Sequence, residues 1–200
     1  VQVKLAEDGE ILIKSKKVMK EYFEDPEATA QVLHDGWFST GDIGVISPEG
    51  YLKITDRKKD LIKTAGGKYV APQKLEALLK TSKYVSQVHI HGDRRKYIVV
   101  LVTLNSLAIE EFLKERKIAI TAPEAIAKHP LVRDLLRRVI AEANKGLASF
   151  ESIKNFAILP RDFSIEDGEL TPSLKVKRKV VDQRYATIIE KLYGFDKQDS

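Results

Sequence analysis

Gly36-Trp37-Phe38-Ser39-Thr40-Gly41-Asp42-Ile43-Gly44 opens the stretch on which the reading of this chain turns. After a short hairpin through Tyr51-Leu52-Lys53-Ile54-Thr55 it continues as Asp56-Arg57-Lys58-Lys59-Asp60-Leu61-Ile62-Lys63-Thr64-Ala65-Gly66-Gly67-Lys68-Tyr69-Val70-Ala71-Pro72-Gln73. An acidic side chain on a glycine-framed turn is followed by a dense run of cations and a double glycine. Together they are spaced closely enough to surround one polyanionic ligand. A carboxylate accepts two hydrogen bonds side by side, which suits the two neighbouring hydroxyls of a ribose, and cations beside a flexible glycine turn suit phosphates.

Upstream, Gly9 to Lys14 reads as a strand and Val18 to Phe23 as a short helical piece. Asp25-Pro26-Glu27 opens a helix to about Leu33, with Asp as cap and Pro at the first helical position. Ile43 to Ile46 and Tyr51 to Thr55 pair across Ser47-Pro48-Glu49-Gly50. The domain breaks after this hairpin, because Asp56 to Asp60 is charged throughout and has nothing to pack.

Downstream, a strand at Asp60 to Lys63, a helix from Pro72 to Thr81 carrying Leu75, Leu78 and Leu79 on one side, and strands at Tyr84 to Ile90 and Tyr97 to Leu104 form a βαββ unit. Asn105 or Ser106 caps a helix to Lys117, and Thr121-Ala122-Pro123-Glu124 has capping-box spacing. Leu131, Leu135, Leu136, Val139, Ile140 and Ala143 make a core-facing stripe ended by Gly146. Phe156 to Leu159 is a strand, and Asp182 caps a last helix carrying Tyr185, Ile188, Ile189 and Leu192.

The 43% hydrophobic and 32% charged content fits a globular protein, and no apolar run approaches the length of a bilayer span. With no cysteine, disulfides and thiolate zinc sites are excluded. His34, His89, His91 and His129 are the histidines. His89 and His91 share one strand face, as some metal pairs do, but no third ligand lies near in sequence and the expectation is no metal. The net charge of +5 is a small excess of 34 basic over 29 acidic residues, concentrated at Arg57 to Lys68 and Lys175 to Lys179. No aromatic residues interleave with these clusters as a nucleic-acid stacking surface needs, so a phosphate-bearing small ligand is expected and nucleic acid is not. The first residue is not Met, and the chain reads as starting inside a longer gene product.

Gly36-Trp37-Phe38-x-Thr40-Gly41-Asp42, Asp56-Arg57-x-Lys59-Asp60-Leu61-Ile62-Lys63 and Gly66-Gly67-Lys68-Tyr69-Val70-Ala71-Pro72-Gln73-x-Leu75-Glu76, with Leu170-Thr171-Pro172-Ser173-Leu174-Lys175-Val176-Lys177-Arg178 near the end, resemble the adenylate-forming enzyme superfamily. Within it the chain is most similar to long-chain fatty acyl-CoA synthetases. The resemblance implies an α+β fold: residues 1–55 end a large β-rich adenylation domain, 56–61 form a hinge linker, and 62–200 form a small mixed α+β lid. It implies a nucleotide-binding set of Thr40, Asp42 and Arg57, with Asp42 on the ribose hydroxyls of ATP and AMP. Asp56 or Lys59 would be the pivot, and Lys63, Gly66, Gly67 and Lys68 would face coenzyme A.

Lys175 would be the adenylation lysine. The family often has glycine before it where this chain has Leu174, and Lys177 is the alternative. ATP with Mg2+, coenzyme A and a fatty acid are the implied reactants, in a cytoplasmic protein open to peripheral membrane contact. The Mg-ATP phosphate loop lies outside these residues, so this stretch alone is expected to be inactive. Other readings are an acyl-AMP ligase, an aryl-CoA ligase, a peptide-synthetase adenylation domain, or a basic module for RNA or anionic membrane.

Overall fold

The computed structural model describes residues 1–194; the stretch 195–200, the end of the expected lid, lies outside the described residues. By its contacts the chain divides into two compact units, one spanning Val1–Leu61 and one starting at Ile62. Both helices and sheets are present, as expected for α+β. Among the described residues no helix is long and apolar enough to cross a membrane.

The first unit is an antiparallel sheet built on one long strand. β1 (Gln2–Leu5) pairs with β2 (Glu10–Lys14), and α1 (Pro26–Val32) leads into β3 (Leu33–His34), β4 (Trp37–Ile46) and β5 (Leu52–Arg57). β2 lies along one edge of β4, while β3 and then β5 take the other. As the sequence predicts, Asp25 caps α1, its carboxylate accepting from the Ala28 N–H at 2.9 Å, with Pro26 in the first turn. Gly44 is required by close packing, because a Cβ there would stand 2.8 Å from the Ile11 side chain and 3.0 Å from the Lys53 carbonyl.

Several local expectations fail here for identifiable reasons. Val18 to Phe23 is not helical but a turn closed by a Tyr22–Asp25 bridge, with Glu24 at φ 52° and Phe23 fully out in solvent. Asp42 is not on a turn: Thr40-Gly41-Asp42 lies inside β4, where the register against β2 shifts between Glu10 and Leu12 and Gly41 takes φ 71°. That is a bulge, and it re-aims the side chain that follows it. The charged run is not unpacked either. β5 extends to Arg57, Asp56 is 2% exposed, and Lys58–Asp60 forms a 3₁₀ turn.

The second unit begins with a hairpin, β6 (Ile62–Lys63) and β7 (Tyr69–Val70), followed by α2 (Pro72–Lys80), β8 (Val85–His91) and β9 (Ile98–Leu104). The expected βαββ unit is thereby corrected, because β6 pairs with β7 and not with the main sheet. α3 (Ser106–Glu115), α4 (Pro123–Lys128) and α5 (Pro130–Ala143) carry the chain across to β10 (Ile153–Ile158), which runs parallel to β9. A parallel neighbour needs such a crossover. α6 (Arg178–Arg184) and α7 (Ala186–Gly194) follow.

In the three-stranded sheet β9 is central, between β8 and β10. Its sequence is apolar without alternation because both faces are covered: Ile98, Val100 and Val102 enter one core and Val99 and Leu101 the other. The first core takes Leu75 and Leu79 of α2 and Val132, Leu136 and Ile140 of α5, and the second takes Val181 of α6 with Ile189 and Leu192 of α7. Leu78, expected beside Leu75, is 38% exposed, and Leu131 turns outward likewise.

Asn105 caps α3, as the sequence allows. α4 has Ala122 as cap with no side-chain bond, so the capping box read at Thr121 does not form. Asp182 caps nothing: it lies inside α6, and a break at Tyr185 separates α6 from α7.

Candidate functional site

In the first unit the register that pairs β4 with β5 sets Asp42 opposite Arg57, and the two side chains form an ion pair, Nε to Oδ1 at 2.6 Å. The carboxylate is 22% exposed and the guanidinium 55%, so the pair opens to solvent. Thr40 donates to the Ile11 carbonyl at 2.8 Å, and its Oγ1 accepts from the Asp42 N–H at 3.1 Å, which ties the bulge to β2. A carboxylate has acceptor capacity for several donors, so Asp42 can take hydroxyl groups in addition to Arg57.

Beneath this pair is a support that sequence reasoning missed. Glu10 is buried, and its Oε1 accepts from the Gly41 N–H at 2.9 Å while its Oε2 meets Lys58 Nζ at 2.8 Å. Lys58 also reaches Asp8 at 2.7 Å. The Lys58 hydrogen bond holds the Asp8 carboxyl below its usual range, and the bonds from Asp8 and Glu10 push the Lys58 ammonium up. Glu10 opens an apolar strand directly after Gly9, and that placement was the available signal. An acidic residue at a strand end is more commonly solvated.

In the second unit the sequence-predicted Lys63, Gly66, Gly67 and Lys68 come together on the β6–β7 hairpin. The turn closes through the Gly67 N–H to the Thr64 carbonyl and the Thr64 N–H to the Lys68 carbonyl, both 2.9 Å. The hairpin docks on the loop after β8: the Ala65 N–H donates to the Arg95 carbonyl at 2.9 Å and the Arg94 N–H to the Lys63 carbonyl at 2.8 Å. Gly67 has φ 74°, and a Cβ on either glycine would meet nothing within 4 Å. The tip is therefore open backbone, with Lys63 and Lys68 exposed beside it and the Lys63 ammonium 5.6 Å from the Tyr69 ring centroid.

Lys175 stands on a tight turn. The Thr171 N–H donates to the Lys175 carbonyl at 2.8 Å, the Leu174 N–H to the Thr171 carbonyl at 2.8 Å, and the Lys175 N–H to Thr171 Oγ1 at 3.0 Å. These bonds fix the backbone and leave the exposed side chain free to extend. Lys177 has a different place: its N–H donates to the Glu169 carbonyl at 2.8 Å and it caps α6.

The base of this turn is a second support the sequence did not reveal. Glu169 is fully buried between Arg161 and Arg184, with Nη1 of Arg161 at 2.8 Å from Oε2 and Nη1 of Arg184 at 3.0 Å from Oε1. It also accepts from the Tyr185 hydroxyl at 2.9 Å and the Ser164 N–H at 3.1 Å. Burial pushes its carboxyl up, but the arginines and the other donors outweigh burial and hold it at about 2. Burial, then the bond to Glu169, pushes the Tyr185 hydroxyl up to about 12. No periodicity distinguishes this acid from the solvated Glu166 and Asp167 beside it.

Residues 59–197 match the profile of the family described as AMP-binding enzyme C-terminal domain. The chain is 40% identical over 195 residues to the long-chain-fatty-acid–CoA ligase FadD15 of Mycobacterium tuberculosis, covering 96% of this chain and 32% of that protein. Among solved structures it is similar to the adenylation domain of a carboxylate reductase from Mycobacterium chelonae, with TM-score 0.71 and 29% identity, over 97% of this chain and 31% of that one. It is similar also to the carboxylic acid reductase adenylation domain from Segniliparus rugosus, solved with AMP and a co-purified carboxylic acid. There the TM-score is 0.65 and the identity 31%, over 93% of this chain and 28% of that one. The chain spans about a third of the length of the curated relatives it matches.

Proposed function

Because the chain belongs to the AMP-binding enzyme C-terminal domain family, we propose that it is the C-terminal part of an ATP-dependent long-chain fatty acid–CoA ligase. The observation that carries this reading is the 40% identity to such a ligase through 96% of the chain, which takes in both units and all three sets of candidate residues.

In the first half-reaction a fatty acid carboxylate oxygen attacks the α-phosphorus of ATP. The bond to the leaving pyrophosphate breaks, and acyl-AMP results. Asp42 accepts from the ribose hydroxyls with Arg57 beside it, and Thr40 keeps the Asp42 backbone in place. The Lys175 ammonium neutralises charge on the carboxylate and the α-phosphate oxygens, and a preorganised charge of this kind is worth about 3–4 kcal/mol of barrier. Mg2+, as the partner of the ATP phosphates, belongs to the same proposal.

In the second half-reaction the coenzyme A sulfur attacks the acyl carbonyl, the bond to AMP breaks, and the thiol proton leaves to solvent. The Gly66–Gly67 tip, flanked by Lys63 and Lys68, offers close backbone approach and positive charge to coenzyme A. Exchanging the lysine turn for the glycine hairpin between the two steps calls for a hinge. Of the two pivots, Asp56 is paired with Ile43 inside the β4–β5 ladder, whereas Lys59 lies in the 3₁₀ turn and is exposed. Rotation at Lys59 leaves the ladder whole, so Lys59 is the pivot we assign. Fatty acids partition into lipid, which makes peripheral contact of a cytoplasmic enzyme with a membrane surface part of this reading.

Likeness to reductase adenylation domains favours a second reading, in which the acid is activated as acyl-AMP without release as a coenzyme A thioester. The test is ATP–pyrophosphate exchange by the natural full-length protein with fatty acids of graded length, then with coenzyme A added. Thioester formation supports the ligase, and exchange without thioester supports the second reading. Absence of exchange with every acid would sink both.

A further inference from the structure

His89 and His91 stand two apart on β8, and strand alternation sends both from one face of the sheet. In sequence they have no third ligand within reach; the fold supplies one from α6. Asp182 Oδ1 lies 2.8 Å from His89 Nε2 and 2.8 Å from His91 Nδ1. The ligand atoms of the three residues fall within 4.8 Å of one another. The side chains of His89, His91 and Asp182 are 1%, 17% and 36% exposed, so the group is closed beneath and opens to solvent at Asp182. The outer nitrogens, His89 Nδ1 and His91 Nε2, are buried without a hydrogen-bond partner. With the inner nitrogens turned to Asp182, the outer nitrogens are the positions that can carry the ring protons when the inner ones hold an ion.

We propose that His89, His91 and Asp182 form a binding site for a divalent transition-metal ion, with Zn2+ the best-fitting class. Two imidazole nitrogens and a carboxylate oxygen suit zinc, and a fourth position on the open side admits water. The two ring protons now directed at Asp182 move to the outer nitrogens, and both rings meet the ion as neutral ligands. With both rings neutral and Asp182 ionised, the occupied set carries a charge of +1. Around bonds of about 2.0–2.1 Å, tetrahedral ligand atoms stand about 3.3 Å apart, so each histidine–aspartate contact opens by about 0.5 Å. The ion would cross-link β8 to the helix that Lys177 caps, just beyond the lysine turn. The site stands on its own geometry and does not depend on the catalytic reading.

The experiment uses the natural full-length protein, stripped with chelator, dialysed, and titrated with ZnCl2 by calorimetry and against a chromophoric zinc indicator. His91→Asn and Asp182→Asn are titrated in parallel after far-UV circular dichroism has shown them folded. His91 is chosen over His89 because it is less buried, and it carries the test alone if Asp182→Asn misfolds. Expected is one equivalent of zinc, bound at least about tenfold more weakly by each variant. Wild-type affinity should also fall on acidification, as protons compete with the ion for its ligands. An absence of binding overturns the proposal, and so does zinc binding that folded variants leave unchanged, since the ion is then held elsewhere.

Discussion

Glu169→Gln removes the one negative charge that sits fully buried between two arginines at the base of the Lys175 turn. A fall from the ordinary 4.5 to about 2 on folding corresponds to about 3 kcal/mol at roughly 1.36 kcal/mol per pH unit. The Arg161 and Arg184 side chains are 44% and 39% exposed, and solvent screens that much of the interaction, so the expected loss at pH 7 is nearer 2 kcal/mol. The sign follows from the depressed value: the stabilisation is full above about pH 4.5 and disappears as pH falls through about 2. By about pH 3 more than half of it should be gone. Urea unfolding of wild type and variant, followed by far-UV circular dichroism at several pH values, reads this directly. The gap should be about 2 kcal/mol at neutral pH and should shrink steadily on acidification. A gap that is absent at pH 7, or that stays constant down to pH 3, would refute the reasoning.

Lys175→Ala in the full-length protein should cut ATP–pyrophosphate exchange by about 10²–10³-fold while thioester formation from supplied acyl-AMP stays within a few-fold; Lys177→Ala should do much less to the exchange. Lys59→Pro should slow thioester formation far more than adenylation, and equal loss in the two half-reactions counts against a pivot there. Asp42→Asn should weaken AMP binding by about tenfold, as expected for a hydrogen bond to a charged group, with little change in melting temperature. Calorimetry that finds AMP affinity unaltered removes Asp42 from the ribose.

Where packing alone decides an element, these residues announce it. Tyr97 to Leu104 is an apolar run of strand length, and β9 is central with both faces covered; the stripe from Leu135 to Ile140 could only be one buried helix face. Asp25-Pro26 is legible because a cap acts within four residues of itself. The misreadings of Asp56 and Asp182 have in common a partner distant in sequence. Asp56 looked like linker because nothing beside it shows that β5 continues against β4. Asp182 looked like a cap because its histidines lie more than ninety residues upstream. Glu169, and Glu10 apart from its place after Gly9, gave no sign of burial for the same reason: a buried acid is spelled like a solvated one, and only the fold brings Gly41 to Glu10 or the two arginines to Glu169.

The candidate site was legible to a different degree, since the glycine hairpin, Asp42 and Arg57 fall in the motifs that carry the resemblance while the choice of lysine rests on one substitution. Leu174 occupies a place where glycine is frequent in enzymes of this resemblance, which in sequence left Lys175 and Lys177 both open. The backbone bears on that choice. Leu174 has φ 60°, a left-handed conformation that glycine adopts without strain and that costs another residue about 1–2 kcal/mol. The turn is thus of a kind that glycine forms without strain, made here by Leu174, and the residue directly after it is Lys175. Such strain persists only where surrounding structure over-determines it. The Thr171–Lys175 bonds close the turn, and Glu169 anchors its far side through the Lys177 N–H and the paired arginines. The buried carboxylate and the strained leucine are two parts of one device: the first supplies the stability that holds the second in place, and Lys175 is the side chain it presents.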